Sequence, residues 1–149
     1  QEKQNMLYSK ALKQYQDVGV KSGVEEATPH RLVQMLLEGA LSRIAAATGH
    51  ISRKEVARKG EAIGHALSII GGLQYSLDME QGGDLATNLE RLYDYMIRRL
   101  TEANLENDVE KLQEVYRLLA EIKLAWDELP AQMGQAGAAA GAKGDAVNS

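Results

Sequence analysis

Apolar residues recur at every third or fourth position through four long segments, and this spacing limits the fold more than any other feature of the sequence. It places the apolar side chains on one face of an α-helix, whereas a half-buried strand needs strict alternation. The first helix should begin at Thr28 and Pro29, a favourable N-cap followed by a favourable first residue. It should run to about Ala47 and stop at Gly49.

The apolar face of this first helix is wide. At 100° per residue it covers an arc of about 180°, whereas roughly 100° is enough to line a bundle core. The arc consists of Leu32, Val33, Leu36, Leu37, Ala40, Leu41, Ile44 and Ala47. Two interpretations remain open: a wide arc buries more surface in a compact core, or part of it forms a groove for an amphipathic segment of a partner.

The second helix combines an apolar stripe with a strip of small residues. Ser52 to Glu55 has the pattern of a capping box and should open the helix. The stripe consists of Val56, Ile63, Leu67, Ile70 and Leu77. Beside it, within about 80°, lie Ala57, Gly60, Gly64, Ser68 and Gly71, ending near Tyr75. Each interior glycine costs about 1 kcal/mol relative to alanine, so we expect the strip to allow close packing of a neighbouring helix or, alternatively, of a partner.

The third and fourth helices follow short turns. After a turn at residues 81–83, a helix should run from about Asp84 to Asn104, with one face made of Leu85, Leu89, Leu92, Tyr93, Met96, Ile97, Leu100 and Ala103. Asn107 and Asp108 should cap the fourth helix, which ends at Pro130. Its apolar arc is also wide and carries Leu112, Val115, Tyr116, Leu118, Leu119, Ile122, Trp126 and Leu129. Four such helices predict an all-α, antiparallel up-down four-helix bundle over residues 28–130.

The two ends of the chain lack this pattern. Residues 1–27 form a short N-terminal arm that carries Leu12 and Tyr15. Gly19 and Gly23 interrupt the arm and should let it move with little strain. Residues 131–149 are rich in Ala and Gly and cannot bury enough apolar surface to offset their ordering entropy, so we expect a flexible C-terminal tail.

Composition excludes several classes of function. The formal net charge of −4 argues against binding to nucleic-acid phosphates, which needs clustered Lys and Arg. No apolar run is long enough to span a membrane, and no signal-peptide pattern opens the sequence. The absence of Cys removes disulfide and thiolate chemistry and fits a reducing compartment. We therefore expect a cytoplasmic protein that neither binds nucleic acid nor inserts into a membrane.

Residues that would support catalysis or hold a cofactor are not evident. His30, His50 and His65 are not part of the Glu-x-x-His pattern that di-iron bundles use. No phosphate-binding loop or nucleophile elbow occurs. Four acidic residues around the start of the third helix are interpreted as a solvated face; they are Glu80, Asp84, Glu90 and Asp94. The sequence thus predicts no enzyme, no metal site and no cofactor.

The sequence instead indicates a protein that binds a partner. Its wide apolar arcs and its small-residue strip would suit an amphipathic client segment, and the N-terminal arm could cover the groove when the client is absent. Nine residues are candidates for this binding surface. They are Leu12, Tyr15, Leu37, Leu41, Tyr75, Tyr93, Tyr95, Ile97 and Leu118.

Several blocks of the sequence resemble the FliS-type flagellar secretion chaperones. The central block is Ser76-Leu-Asp-Met-Glu-Gln-Gly-Gly-Asp84, followed by Leu92-Tyr-Asp-Tyr-Met96. The opening of the first helix, Ala27-Thr-Pro-His-Arg-Leu-Val-Gln-Met-Leu36, and the end of the last helix, Ala125-Trp-Asp-Glu-Leu-Pro130, are similar to the same family. With Tyr15 in the arm, these blocks extend the resemblance over residues 11 to about 130. Tyr15, Tyr93 and Tyr95 are candidates on this resemblance, and the other six candidates rest on arc geometry.

The resemblance implies a non-enzymatic export chaperone that uses no nucleotide. Such a protein binds the disordered C-terminal segment of flagellin in the cytosol, prevents premature polymerisation, and hands the subunit to export gate components of the flagellar type III export apparatus. We expect a monomer or weak dimer. Two rival hypotheses are a self-assembling structural helical bundle, whose apolar surface is a homo-oligomer interface, and a metal-dependent bundle enzyme. Light scattering with a flagellin segment and elemental analysis would distinguish the three.

Overall fold

The computed structural model describes residues 28–129, and four α-helices contain most of them. The helices are α1 (Pro29–Ser52), α2 (Val56–Tyr75), α3 (Gly83–Glu106) and α4 (Val109–Asp127). The predicted arm, the predicted tail and Pro130 lie outside the described residues. The division of the chain into arm, bundle and tail therefore stays a prediction.

Helix α1 begins as predicted but ends later. The hydroxyl of Thr28 accepts a hydrogen bond from the backbone N–H of Arg31 at 3.1 Å, and Pro29 is the first helical residue. The predicted stop at Gly49 is wrong, because the helix continues to Ser52. A glycine inside a helix costs only about 1 kcal/mol, and the extra turn lets Ile51 pack against the core.

The predicted capping box at the start of α2 is also wrong. Ser52 is the last residue of α1, and its hydroxyl donates to the carbonyl of Thr48. The chain turns at Lys54, whose φ of 61° is left-handed. The N-cap is Glu55, whose carboxylate makes no cap bond but lies 2.7 Å from His50 Nδ1 and accepts from Arg53 Nε at 3.0 Å. These contacts with His50 and Arg53 hold the pKa of Glu55 below its ordinary value.

Local side-chain chemistry shapes the other two turns. Between α2 and α3, Asp78 Oδ1 accepts from the backbone N–H groups of two following residues, and Gly83 takes a φ of 58° that favours glycine. Between α3 and α4, Asn107 is the C-cap of α3, and its backbone dihedral angles lie in the left-handed region. Asp108 then caps α4, as predicted, by accepting from the N–H of Glu110 at 3.0 Å.

The four helices pack in a ring in which each contacts two neighbours. α1 packs against α2 and α4, and α3 packs against the same two helices. Hydrogen bonds between the end of one helix and the start of another show that neighbouring helices run antiparallel. The indole N–H of Trp126, near the end of α4, donates to the carbonyl of His30, at the start of α1, over 3.0 Å. Lys59, near the start of α2, donates to the carbonyl of Asn104 near the end of α3 at 2.8 Å. The predicted all-α bundle with antiparallel neighbours is confirmed.

The core lies along the axis of this ring and consists mainly of aliphatic side chains. α1 contributes many of the buried side chains, because its two neighbours, α2 and α4, cover most of its wide apolar arc. Its most deeply buried apolar residues are Leu36, Leu37, Ala40, Ile44 and Ala47. For α1, the interpretation that the wide arc serves a compact core is therefore correct. Leu85 and Tyr116, both predicted on apolar faces, are instead exposed at the surface.

Candidate partner-binding surface

Two of the nine predicted binding residues lie inside the core. Leu37 is completely buried and Tyr93 is 4% exposed, so neither lies at a groove edge in this structure. Burial also raises the pKa of the Tyr93 phenol far above its ordinary value. Leu12 and Tyr15 fall outside the described residues, and their role stays a prediction.

The other five predicted residues lie nearer the surface but on four different helices. Leu41, Ile97 and Leu118 are half-buried and pack against the core from α1, α3 and α4. Tyr75 ends α2 and is 37% exposed. The structure therefore does not gather these residues into one pocket, and a partner that contacted all of them would have to extend around the bundle.

Tyr95, the fifth of these residues, joins α3 to α4 by polar contacts. Its hydroxyl donates to Glu114 Oε2 at 2.6 Å, and Arg99 Nε donates to the other oxygen of the same carboxylate at 2.8 Å. These two donors hold the pKa of Glu114 below its ordinary value, and the Glu114 carboxylate raises the pKa of the Tyr95 phenol. The hydroxyl of Tyr95 is therefore engaged within the bundle, and the guanidinium groups of Arg98 and Arg99 lie 6.0 and 5.7 Å from the centroid of its half-buried ring.

No described residue covers the small-residue strip of α2. Within residues 28–129, a Cβ atom added to Gly60, Gly64 or Gly71 would meet no atom within 4 Å beyond the helix's own backbone and chain neighbours. The expectation that a neighbouring helix packs closely on these glycines is therefore wrong for the described residues. The apolar stripe of α2, including Ile63 and Ile70, points into the core. As a result, the strip leaves the helix backbone open to close approach by another molecule.

Sequence periodicity did not single out several exposed apolar side chains. The most exposed of them are Leu105 on α3, at 81%, and Leu124 on α4, at 64%. Val56, by contrast, was predicted in the apolar stripe of the second helix, and this is wrong because it is 66% exposed at the start of α2. Leu105 and Leu124 lie off the apolar faces of their helices, and this off-face position was the available signal. A further cleft of about 340 Å³ between α1 and α4 is lined by the exposed Tyr116 and by Thr48. The accessible apolar surface is thus spread over several sides of the bundle.

The histidines serve structure where their contacts are visible. The ring of His30 stacks on Trp126 with centroids 5.3 Å apart, and His50 contacts Glu55 in the α1–α2 turn. Nδ1 of His65 and Nδ1 of His30 are buried and have no hydrogen-bond partner in the part of the chain that the structure describes. Within residues 28–129, no three His, Asp or Glu side chains cluster in a way that could hold a metal ion. Over the same range, no helix has the length and apolar character needed to cross a membrane.

A four-helix bundle with an exposed backbone strip defines the general class: an all-α protein with surface available for a partner. The chain belongs to the FliS family, because the family model described as flagellar protein FliS matches residues 9–133. It is 52% identical to the flagellar secretion chaperone FliSB of Pseudomonas aeruginosa over 122 residues, which cover 82% of this chain and 97% of that protein.

Two further relatives are similar over comparable lengths. The flagellar secretion chaperone FliS of Salmonella typhimurium is 46% identical over 83% of this chain and 93% of its own. The FliS of Vibrio cholerae is 42% identical over 80% of this chain and 88% of its own. These matches confirm the resemblance that the sequence blocks indicated. The relatives are named as chaperones and not as enzymes, in agreement with the non-enzymatic role expected from the sequence.

Proposed function

We propose that this protein is a cytoplasmic export chaperone that binds the disordered C-terminal segment of flagellin. By holding that segment it prevents premature polymerisation and supports delivery of the subunit to the flagellar type III export apparatus. Membership of the FliS family supports the chaperone role, and the names of the relatives support a client destined for secretion. The structural observation that carries the proposal is the glycine strip of α2, which none of the residues between 28 and 129 covers.

The strip suits a client that folds as it binds. A disordered segment loses conformational entropy on binding and needs a long contact track to offset that loss. From Ala57 to Tyr75 the strip extends over about 27 Å at 1.5 Å per residue. Since no side chain projects from Gly60, Gly64 or Gly71, a client helix can approach the α2 backbone closely and gain dispersion contacts along its length.

The half-buried residues and the predicted arm extend this track. Leu41, Ile97 and Leu118 lie on the other three helices, so a client that leaves α2 can continue around the bundle over partly apolar surface. Leu12 and Tyr15 would contribute from the arm.

Replacing Tyr15 by Ala should then weaken binding to the flagellin segment while the helical circular dichroism stays native. Unchanged affinity by calorimetry would remove the arm from the binding surface.

A Gly64→Leu variant tests the strip directly. The leucine projects into open space, so the fold should be retained, but it blocks close approach of a client helix. We expect the affinity for a flagellin C-terminal peptide, measured by calorimetry, to fall at least about tenfold, corresponding to roughly 1.4 kcal/mol. Ser42→Leu, an equally exposed small-to-large change on α1, is the matched control and should change affinity less than about twofold.

Each outcome of this experiment has a clear meaning. If the unmodified protein does not bind the peptide and does not delay flagellin polymerisation, the chaperone role fails. If it binds the peptide but Gly64→Leu binds equally well, the client lies elsewhere on the bundle. If light scattering shows concentration-dependent assembly that excludes the peptide, the homo-oligomer alternative replaces the chaperone.

A further inference from the structure

A second surface lies where α2 ends and α3 begins. It is a cleft of about 430 Å³ whose walls include both apolar and acidic side chains. Leu77 is buried, while the residues Tyr75 and Met79 are 37% and 39% exposed. The lining residues are Gln74, Tyr75, Leu77, Met79, Glu90 and Asp94. The cleft therefore offers apolar walls beside two carboxylates.

The two charged residues that line this cleft, Glu90 and Asp94, are both acidic. From Gly60 to Glu90 the sequence contains no Lys or Arg, and the next basic residues along α3 are Arg91, Arg98 and Arg99. The acidic residues near the cleft are Asp78, Glu80, Asp84, Glu90 and Asp94, and none of them forms an ion pair with a described residue. Some carboxylates elsewhere in the described bundle are paired, such as Glu38 with Arg31, Glu114 with Arg99 and Asp127 with Lys123. The two carboxylates that line the cleft, Glu90 and Asp94, therefore have no basic partner among the described residues.

One carboxylate of the cleft is held in a fixed orientation. The side-chain amide of Gln74 donates to Asp94 Oδ1 at 2.8 Å and to the backbone carbonyl of Glu90 at 3.2 Å. Gln74 on α2 therefore anchors the wall of α3 that carries both acidic residues. An oriented carboxylate binds a cation more favourably than a free one, since less side-chain entropy is lost on binding.

We propose that this cleft receives a Lys or Arg side chain of the client segment; the inference rests on the proposed function. The charged head lies between Glu90 and Asp94, and the aliphatic stem packs on Tyr75 and Met79. Long basic side chains have this combination of an apolar stem and a charged end. An anionic or purely apolar occupant would leave the carboxylates unpaired. The contact fixes the register of the client on the bundle at the Tyr75 end of the glycine strip.

Neutral, nearly isosteric replacements test this contact in the full chain. The probe is a flagellin C-terminal peptide, titrated by calorimetry at two salt concentrations against the protein and its E90Q/D94N variant. We expect the variant to bind about five- to tenfold more weakly, in line with the loss of two partly exposed charge contacts. Its affinity should also depend less on salt than that of the unmodified protein. The control pair E121Q/E128Q removes two exposed carboxylates of the α4 region and should leave both measurements unchanged.

Further variants identify the partner side chain. Each Lys and Arg of the peptide is replaced by Gln in turn. One of these replacements should weaken binding to the unmodified protein but should not weaken binding to the E90Q/D94N variant. Failure of the unmodified protein to bind the peptide would overturn the proposed function. Binding with equal affinity and equal salt dependence in E90Q/D94N would overturn the cleft contact alone. Loss of a dimer in E90Q/D94N, seen by light scattering without any change in peptide affinity, would assign the cleft to a second copy and also overturn the proposal.

Discussion

Helices α1 and α2 pack side by side, yet the features that the sequence offered as binding surfaces have opposite outcomes in the structure: one is buried and the other is exposed. α1 has a wide apolar arc that could have formed a groove for a partner. Its two neighbouring helices pack on this arc, and Leu37 is completely buried. α2 has glycines that could have been covered by a neighbour, and Gly64 is open to solvent. Each of the two helices has two neighbours, so the comparison teaches that packing inside the bundle can fill a wide apolar arc. Missing side chains on an outer face instead leave helix backbone that no described residue covers.

The largest expected effect tests whether α1 is an interior helix. Leu37→Ala should lower the free energy of unfolding by about 2–5 kcal/mol, because it leaves a cavity in a fully buried site. Urea denaturation followed by circular dichroism measures this change. Leu124→Ala, at a site 64% exposed, is the control and should cost less than about 1 kcal/mol. A stable Leu37→Ala protein with impaired flagellin binding would instead restore Leu37 to the binding surface.

A smaller loss in the free energy of unfolding should follow from removing the contact that holds the first turn of α1 against α4. Trp126→Phe removes the indole N–H that donates to the carbonyl of His30 and so breaks the hydrogen bond between the end of α4 and the start of α1. We expect a loss of about 0.5–1.5 kcal/mol in the free energy of unfolding, measured by urea titration. His30→Ala keeps the indole and its bond to the backbone but removes the stacked ring, so it should cost less than Trp126→Phe. The reverse order would mean that stacking, not the hydrogen bond, fixes this end.

On α2, a change of one methyl group should act in the opposite direction. Gly64→Ala should raise the free energy of unfolding by up to about 1 kcal/mol, since alanine favours the helix and its Cβ meets no atom. The same change should weaken binding of the flagellin peptide slightly, because the backbone is no longer bare. Destabilisation by Gly64→Ala would show that a neighbour covers the strip in solution and would remove the contrast between the two helices.

The smallest expected effect concerns the α3–α4 seam and depends on pH. The Tyr95 hydroxyl and Arg99 lower the pKa of Glu114 from its ordinary value of 4.5. A depressed pKa in the folded state stabilises the fold above the unfolded pKa, and the stabilisation is lost as pH falls through the folded pKa. Glu114→Gln should therefore be less stable than the unmodified protein near neutral pH, and the difference should shrink below about pH 4. A difference that stays constant from neutral to acid pH would contradict this role.

Much of the fold follows from the sequence because it depends on local chemistry. The apolar period locates all four helices, Thr28 and Asp108 cap two of them as predicted, and the antiparallel ring follows from short turns. The end of α1 could not be predicted, because contacts of His50 and Arg53 with Glu55 beyond the helix stabilise an extra turn that a glycine alone disfavours.

The binding surface was harder to predict because exposure depends on neighbours in space. A helical wheel gives the face on which Leu37 lies, but only the packed bundle shows that two helices cover it. Tyr93 and Tyr95 are two residues apart in one motif, yet one is in the core and the other is tied to Glu114 on the next helix. The acidic cleft could be suspected from the residues around α3, but its apolar walls come from the turn after α2.

The stacking of His30 on Trp126 has a practical consequence for measurement. Trp126 is the only tryptophan in the chain, so its emission arises from a single site. Both terminal segments join the bundle at this end, at Thr28 and after Leu129. Any rearrangement of the arm or tail that moves the first turn of α1 would change the polarity around the indole and shift its emission wavelength. The unlabelled chain thus carries an optical probe at the junction where its two outer segments meet the bundle.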